Sequence, residues 1–337
     1  MKRLTKLLIL LCLHLIYVDG SSWGVARCVY AQSALPSGER PLVKRTKVFK
    51  VFGSDDRQEV ADTSVFPWSA VGMIEAYWGA AANYEIRGGT GVLISDRVVL
   101  TCAHVLHESG IGWADRVSFI PGKSGDSEPF GTIQVSTLTA RDEWIDHQDD
   151  NYDIALLVLS SPVGQQVGHM NAVGKPVSFF TGRSLNMSGY PSDLVWDRLY
   201  NGVGDSRRVE GHEIVHYIDG GPGQSGGPVW YVDDTTGEHT VVGVYTGDIE
   251  VTNGGGQVVD EYGVAIQINA TLCQWISAFL AEHDPDAPIH CEGATDGTIV
   301  PGCGTGTVGC ASGVAGTLPL MLVGLGVMRG FRQRFGP

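Results

Sequence analysis

The sequence predicts an all-β domain closed by one C-terminal helix. Three observations carry this. Strand-like runs of apolar residues recur from Ser69 to Ile268, separated by turns rich in polar residues, Gly and Pro. Only Leu272-Cys273-Gln274-Trp275-Ile276-Ser277-Ala278-Phe279-Leu280 places its apolar residues near helical spacing. The 337 residues are 43% hydrophobic and 18% charged and include 46 glycines, which suits a loop-rich β protein with one sizeable core.

From the N-terminus, Lys2, Arg3 and Lys6 precede an apolar run from Leu7 to Val18. This is a signal-peptide pattern, too short for a comfortable transmembrane helix. Residues 1–31 are assigned to it, with cleavage open after Gly20 or after Ala31; the alternative is an uncleaved anchor. Residues 32–50 read as a propeptide, because Arg40, Lys44, Arg45, Lys47 and Lys50 make it basic and protease-sensitive. Cleavage after Lys50 would expose Val51, so the chain is expected to be a zymogen.

The main domain is expected over residues 51–282. Its strands are read at Ser69–Ala76, Gly89–Ile94, Val98–Thr101, Arg116–Ile120, Gly131–Thr139, Ile154–Leu159, Ser184–Gly189, Arg207–Tyr217, Gly227–Val232, Thr240–Tyr245 and Gly263–Ile268. His104 is expected to begin a short helical turn. Residues 283–309, rich in Gly, Pro, Asp and Thr, read as a linker. Residues 310–337 hold Cys310, an apolar run from Val314 to Met328, then Arg329, Arg332 and Arg334. That run is short for an untilted span, and the arginines would stay cytoplasmic.

The net charge of −14 argues against a general nucleic-acid binder, which needs a basic face. Export permits disulfides, and of the seven cysteines Cys273 and Cys291 are a plausible pair tying the linker to the helix. Cys102 is read either as a disulfide partner or as an unpaired core thiol. Neither a paired CxxC nor an HExxH occurs, so no metal or other cofactor is expected.

The chemistry concentrates in Gly221-Pro222-Gly223-Gln224-Ser225-Gly226-Gly227-Pro228. A serine hydroxyl needs a base to take its proton and backbone N–H groups aimed at the oxyanion that forms on attack. Glycines let the backbone bend so that such N–H groups converge. Upstream, Leu100-Thr101-Cys102-Ala103-His104-Val105 follows a strand. Tyr152-Asp153-Ile154-Ala155-Leu156 sets an aspartate at the mouth of a buried one. His104, Asp153 and Ser225 lie 49 and 72 residues apart in that order. The G-x-S-x-G elbow of α/β-hydrolases would need the order Ser, acid, His, and a helix rather than a strand after the serine.

These three contexts resemble the chymotrypsin-like serine proteases, and most closely their glutamyl-endopeptidase branch. Weaker echoes are Asp56-Arg57-Gln58, Ser188-Gly189-Tyr190-Pro191 and Gly263-Val264-Ala265-Ile266; the resemblance spans about residues 51–282. It implies two packed six-stranded antiparallel β-barrels and a C-terminal helix, with His104 and Asp153 from the first barrel and Ser225 from the second. Ser225 would attack the peptide carbonyl, His104 would move the proton, and Asp153 would orient the imidazole. The N–H groups of Gly223 and Ser225 would form the oxyanion hole. The cysteine, apolar run and arginines at the end resemble a MYXO-CTERM-type sorting tail, whose processing leaves a protein at the cell surface or released; the alternative is a plain membrane anchor.

Two residues bear on specificity. In glutamyl endopeptidases a histidine on the strand after the nucleophile binds the substrate glutamate, and Tyr245 stands in its place. A threonine before the nucleophile is likewise replaced, by Gly220 or Gly221. Asp219, six residues before Ser225, matches the spacing at which trypsin-like enzymes select Arg or Lys, and equally reads as a turn cap. Basic, acidic and other preferences stay open. Asp146, His147, Asp149 and Asp150 read as a solvated loop, and Asp233-Asp234 as a hairpin turn. His212 and His216 are read as facing one side of a strand, where a metal would be conceivable.

The expectation is therefore an exported, monomeric serine endopeptidase acting on proteins or peptides. It would be at the cell surface or extracellular, and would touch the membrane through its C-terminal segment at least transiently. A non-catalytic binding or adhesion module of the same fold is the alternative.

Overall fold

The computed structural model describes residues 43–79, 84–287 and 333–334. The expected signal peptide, most of the expected propeptide, Cys291, the linker read beyond residue 287 and the C-terminal apolar run lie outside the described residues. No helix among the described residues is long and apolar enough to cross a membrane.

The chain enters through β1 (Lys44–Val48). Six strands then build one barrel: β2 (Val71–Trp78), β3 (Glu85–Leu93), β4 (Val98–Thr101), β5 (Arg116–Pro121), β6 (Ile133–Ala140) and β7 (Ala155–Leu159). Their order is β7-β4-β3-β2-β5-β6, and pairing of β6 with β7 closes it. The second barrel has β8 (Ser184–Gly189), β9 (Tyr200–Glu210), β10 (Glu213–His216), β11 (Pro228–Val232), β12 (His239–Thr252) and β13 (Val258–Gln267). Here the order is β12-β11-β8-β9-β10-β13, closed by β12 with β13. Closure leaves few unpaired edges, and the bulges between Tyr245 and Gly247 and between Val158 and Leu159 supply the bending it requires.

Side chains from each strand fill the interiors. Ile74, Leu93, Leu100, Phe119, Leu138 and Leu157 are buried in the first cluster, and Leu185, Met187, Ile214, Val229 and Val242 in the second. Each such side chain contributes about 1.5–3 kcal/mol relative to exposure. The C-terminal helix, α1 (Ala270–His283), starts where the Asn269 side chain accepts the Leu272 N–H at 3.0 Å, and it buries Leu272, Ile276, Phe279 and Leu280 against the first cluster.

The all-β class, the two closed barrels and the terminal helix agree with expectation. Several elements differ. A short helix, Asp142–His147, takes in Asp146 and His147, which were expected in a loop, and β12 runs past Tyr245 to Thr252. The single strand expected over Arg207–Tyr217 is the hairpin β9–β10, paired at Val209 and Ile214 and turning at Gly211. This overturns the shared face expected for His212 and His216. His212 lies in the turn beside Tyr152, whereas His216 is buried in β10 with its ring against Gly263.

Candidate active site

The register of β4 with β7 brings the first two residues together. Thr101 pairs with Ala155, so the turn just after β4 and the residue just before β7 meet at one end of the barrel. His104 sits in that turn, the 3-10 segment Ala103–Val105, and Asp153 lies two residues before β7. Asp153 is fully buried. Its Oδ1 accepts the His104 backbone N–H at 2.9 Å, and its Oδ2 lies 2.6 Å from Nδ1 of the same residue. The two bonds fix both the position and the ring orientation of the histidine.

Electrostatics follow from this pairing. Burial disfavours charge on both groups, yet their mutual attraction outweighs it: the Asp153 carboxyl is held below its usual value and the His104 imidazole above its own. A third group joins them. Lys47, from β1, has Nζ 3.5 Å from Asp153 Oδ2 and 3.6 Å from Asp150 Oδ1. Burial opposes its charge, but Asp153 and then Asp150 hold its ammonium above the usual lysine value.

Ser225 comes from the loop before β11. The left-handed φ angles of Gly223 and Gly226, +90° and +86°, are open to glycine at little cost. A Cβ at Gly223 would collide with the Tyr190 carbonyl, and one at Gly226 with Thr101 and Thr90, so no side chain fits either place. Both barrels hold the loop. Thr90 of β3 donates its N–H to Ser225 O at 2.8 Å and its hydroxyl to Gly223 O at 2.9 Å, while Gly226 N–H donates to Tyr245 O of β12 at 2.8 Å. Gly223 N–H and Ser225 N–H donate no hydrogen bond among the described residues. Two backbone donors beside the serine are thus free for an incoming oxygen.

Among the described residues no hydrogen bond joins Ser225 Oγ to His104; the nearest recorded partner of Nε2 is Cys102 Sγ at 3.7 Å. Cys102 is a free thiol, which settles its two sequence readings in favour of the core thiol, and burial pushes its pKa up. Its closeness to Nε2 was not read from the sequence. The signal available was the i, i+2 spacing from His104.

Arg57 was noted in the sequence only as part of a weak echo. Its guanidinium, almost wholly buried, donates to Gln224 Oε1 at 3.1 Å and pairs with Asp55 and Asp193, each at 2.7 Å. It thereby pins the residue next to Ser225 from beneath.

The two specificity candidates are occupied. Asp219 Oδ1 accepts the Phe52 N–H at 2.6 Å, and Oδ2 the Asp56 N–H at 3.0 Å. In this arrangement the carboxylate clamps the start of the domain through N–H groups distant in sequence, unlike the local turn cap read for it. Tyr245 is buried and donates its hydroxyl to Asp248 Oδ2 at 2.8 Å. Asp248 also accepts the Lys50 N–H at 2.6 Å, and burial raises its carboxyl to about 7.

Residues 89–244 match the family model described as a trypsin-like peptidase domain. An extracellular metalloprotease of Bacillus subtilis (strain 168) is 26% identical over 232 residues, which are 68% of this chain and 73% of that protein. A glutamyl endopeptidase of Bacillus licheniformis is 29% identical over 181 residues, 53% of this chain and 54% of its own length, so the match spans about half of that relative. Among solved structures, a Glu endopeptidase in complex with MPD superposes with a TM-score of 0.55 at 22% identity, over 69% of this chain and all of that one. At that identity the likeness bears on the fold.

Proposed function

We propose that this chain, a serine endopeptidase with a trypsin-like peptidase domain on a chymotrypsin-like fold, cleaves proteins or peptides through an acyl-enzyme formed on Ser225. The observation that carries the reading is the buried Asp153 bonded to His104 at the barrel end, with Ser225 in a glycine loop beside two free backbone N–H groups.

The steps follow from the groups present. Substrate binding brings Ser225 Oγ within reach of His104 Nε2, a contact that commonly tightens only in the complex. Oγ attacks the peptide carbonyl carbon, and its proton passes to Nε2. Asp153 stabilises the imidazolium and keeps Nδ1 protonated. The Gly223 and Ser225 N–H groups receive the oxyanion. Collapse breaks the C–N bond as His104 protonates the leaving amine. Water, deprotonated by the same histidine, then releases the acid and restores Ser225.

The same proposal covers the chain's processing. Residues 1–31 act as a signal peptide, 32–50 as a propeptide and 310–337 as a surface-sorting tail. The extracellular relative supports export. For the propeptide the support is β1. It runs antiparallel along β12, pairing Lys44–Val48 with Thr252–Asp248, and it carries Lys47 to Asp153. Cleavage after Lys50 would release this strand.

The test is labelling of Ser225 by a serine-reactive fluorophosphonate, together with cleavage of a diverse peptide library by the chain cut after Lys50, with Ser225→Ala as control. Labelling and cleavage by the wild type alone support the proposal, and the cleaved positions read out specificity. If the cut chain neither labels nor cleaves, the non-catalytic binding module replaces the enzyme.

A further inference from the structure

We propose that Cys102 Sγ and His104 Nε2 form a binding site for a soft divalent cation such as Zn2+ or Cd2+, and that the bound ion switches the peptidase off. The inhibitory consequence rests on His104 being the catalytic base; the binding itself does not.

Geometry comes first. A tetrahedral ion with a metal–sulfur distance of about 2.3 Å and a metal–nitrogen distance of about 2.0–2.1 Å holds those two ligand atoms roughly 3.5 Å apart. Sγ and Nε2 stand 3.7 Å apart, so an ion fits with a shift of a few tenths of an ångström. Cys102, His104 and Asp153 are moreover the one group of three metal-ligating residues found close together among the described residues, their ligand atoms lying within 4.8 Å of one another.

Chemistry agrees. Thiolate and imidazole suit Zn2+ and Cd2+ better than Mg2+ or Ca2+. A metal-bound imidazole is held best when its other nitrogen donates to a carboxylate, and Nδ1 already has Asp153 Oδ2 at 2.6 Å. The arrangement that fixes His104 for proton transfer is thus the outer support that a metal-binding histidine needs. The way in is along His104, whose side chain is 30% exposed; Cys102 and Asp153 are both sealed, so an ion reaches Sγ only past Nε2. Two coordination positions remain for solvent. Binding breaks the S–H bond and forms a sulfur–metal bond, a protonated His104 loses its Nε2 proton as well, the protons leave to water, and no electron moves. The Nε2 lone pair then belongs to the ion and cannot accept the Ser225 proton.

The test uses the full chain, wild type and Cys102→Ala, with Cys102→Ser as a second variant that keeps the size but replaces the soft donor. After treatment with EDTA, Cd2+ is titrated while Ser225 labelling by the fluorophosphonate is followed, and Co2+ is added separately to record thiolate-to-cobalt charge-transfer absorption. The expected result is half-inhibition at a Cd2+ concentration at least tenfold lower in the wild type than in either variant, no effect of Mg2+, and a charge-transfer band in the wild type alone. Equal Cd2+ sensitivity of wild type and variants, or a missing band, overturns the proposal. If metal-free wild type labels neither as the full chain nor after cutting at Lys50, the peptidase reading fails instead, and the cobalt band still decides the cation site.

Discussion

Lys47 places its ammonium 3.5 Å from Asp153 Oδ2, so the carboxylate that orients His104 is also the counter-ion of a residue in the entering strand. One acid therefore serves two cations. The lysine draws negative potential away from the imidazole, and β1 covers the edge of β12 next to the site. The proposed pro-segment would in this way restrain the site electrostatically as well as by its bulk.

Replacing Lys47 by Ala in the full chain is accordingly expected to raise the rate of fluorophosphonate labelling several-fold, and cutting after Lys50 to raise it further. The measurement is the labelling rate of each form at neutral pH. Identical rates in all three would remove any restraining role for β1.

Ser225→Ala and His104→Ala are each expected to lower kcat by roughly 10⁴–10⁶-fold, with the double variant little worse than either, because the two groups act as one unit. Additive losses in a double-mutant comparison of cleavage rates would contradict a shared proton transfer.

In the proposed mechanism the raised pKa of His104 sets the pH dependence. A general base must be neutral, so cleavage should climb as pH rises through that value, with the inflection above the ordinary histidine value of about 6.5. The kcat/KM profile of the cut chain checks this, and Asp153→Asn should move the inflection down. The stability linkage has the opposite sense for His104: its contribution is present below its unfolded value and lost as pH rises through its folded one, whereas the Asp153 contribution is lost as pH falls through its own lowered value.

His216 gives a second pH effect of opposite sign. Burial alone lowers its pKa to about 3, and its Nδ1 accepts the Ile218 N–H at 3.2 Å while Nε2 has no partner among the described residues. Above about 6.5 it is neutral in both states and costs nothing. As pH falls below that, the unfolded chain gains a proton that the folded one refuses, at about 1.4 kcal/mol per pH unit. Roughly 4–5 kcal/mol is lost by pH 3. Urea unfolding of wild type and His216→Gln between pH 7 and 4 measures it; equal slopes in the two proteins would refute the assignment.

Arg57→Met should leave Gln224 Oε1 unpaired beside the nucleophile loop and cost about 1–3 kcal/mol. The expected signature is a lower Tm with a fall in kcat larger than any rise in KM. Lysine should restore the charge but little of the function, since a single ammonium lacks the fork that reaches Gln224, Asp55 and Asp193 together. Steady-state kinetics on both variants separate the outcomes.

Much of this was legible in the sequence, because local patterns carry it. The strands Val98–Thr101 and Ser184–Gly189 fall within their expected bounds, since turn residues flank each apolar run. His104 and Asp153 could be singled out because each adjoins such a run. What escaped depends on contacts between distant segments. The hairpin at Gly211 hides inside a stretch whose alternation continues through the turn, and His212 there donates its N–H to Asn151 Oδ1. The second half of β12 looks too polar for a strand, with Asp248 and Glu250, and is ordered by pairing with β1 and β13. The spacing of Asp219 offers it as a pocket base, while spacing alone does not show that the Phe52 and Asp56 N–H groups fold back upon it. The approach of Cys102 to His104 depends on the shape of the turn, which residue types alone do not set.

The anchoring of the Gly223–Gly227 loop on Thr90 from one side and Tyr245 from the other has a practical meaning for anyone who would cut the chain in two. A break in the crossing segment between Leu159 and Ser184 would part histidine and aspartate from serine while leaving every barrel strand whole. Neither fragment alone holds both anchors of the Ser225 loop, and fusing each to one member of a binding pair would make the proposed hydrolysis a report of their encounter.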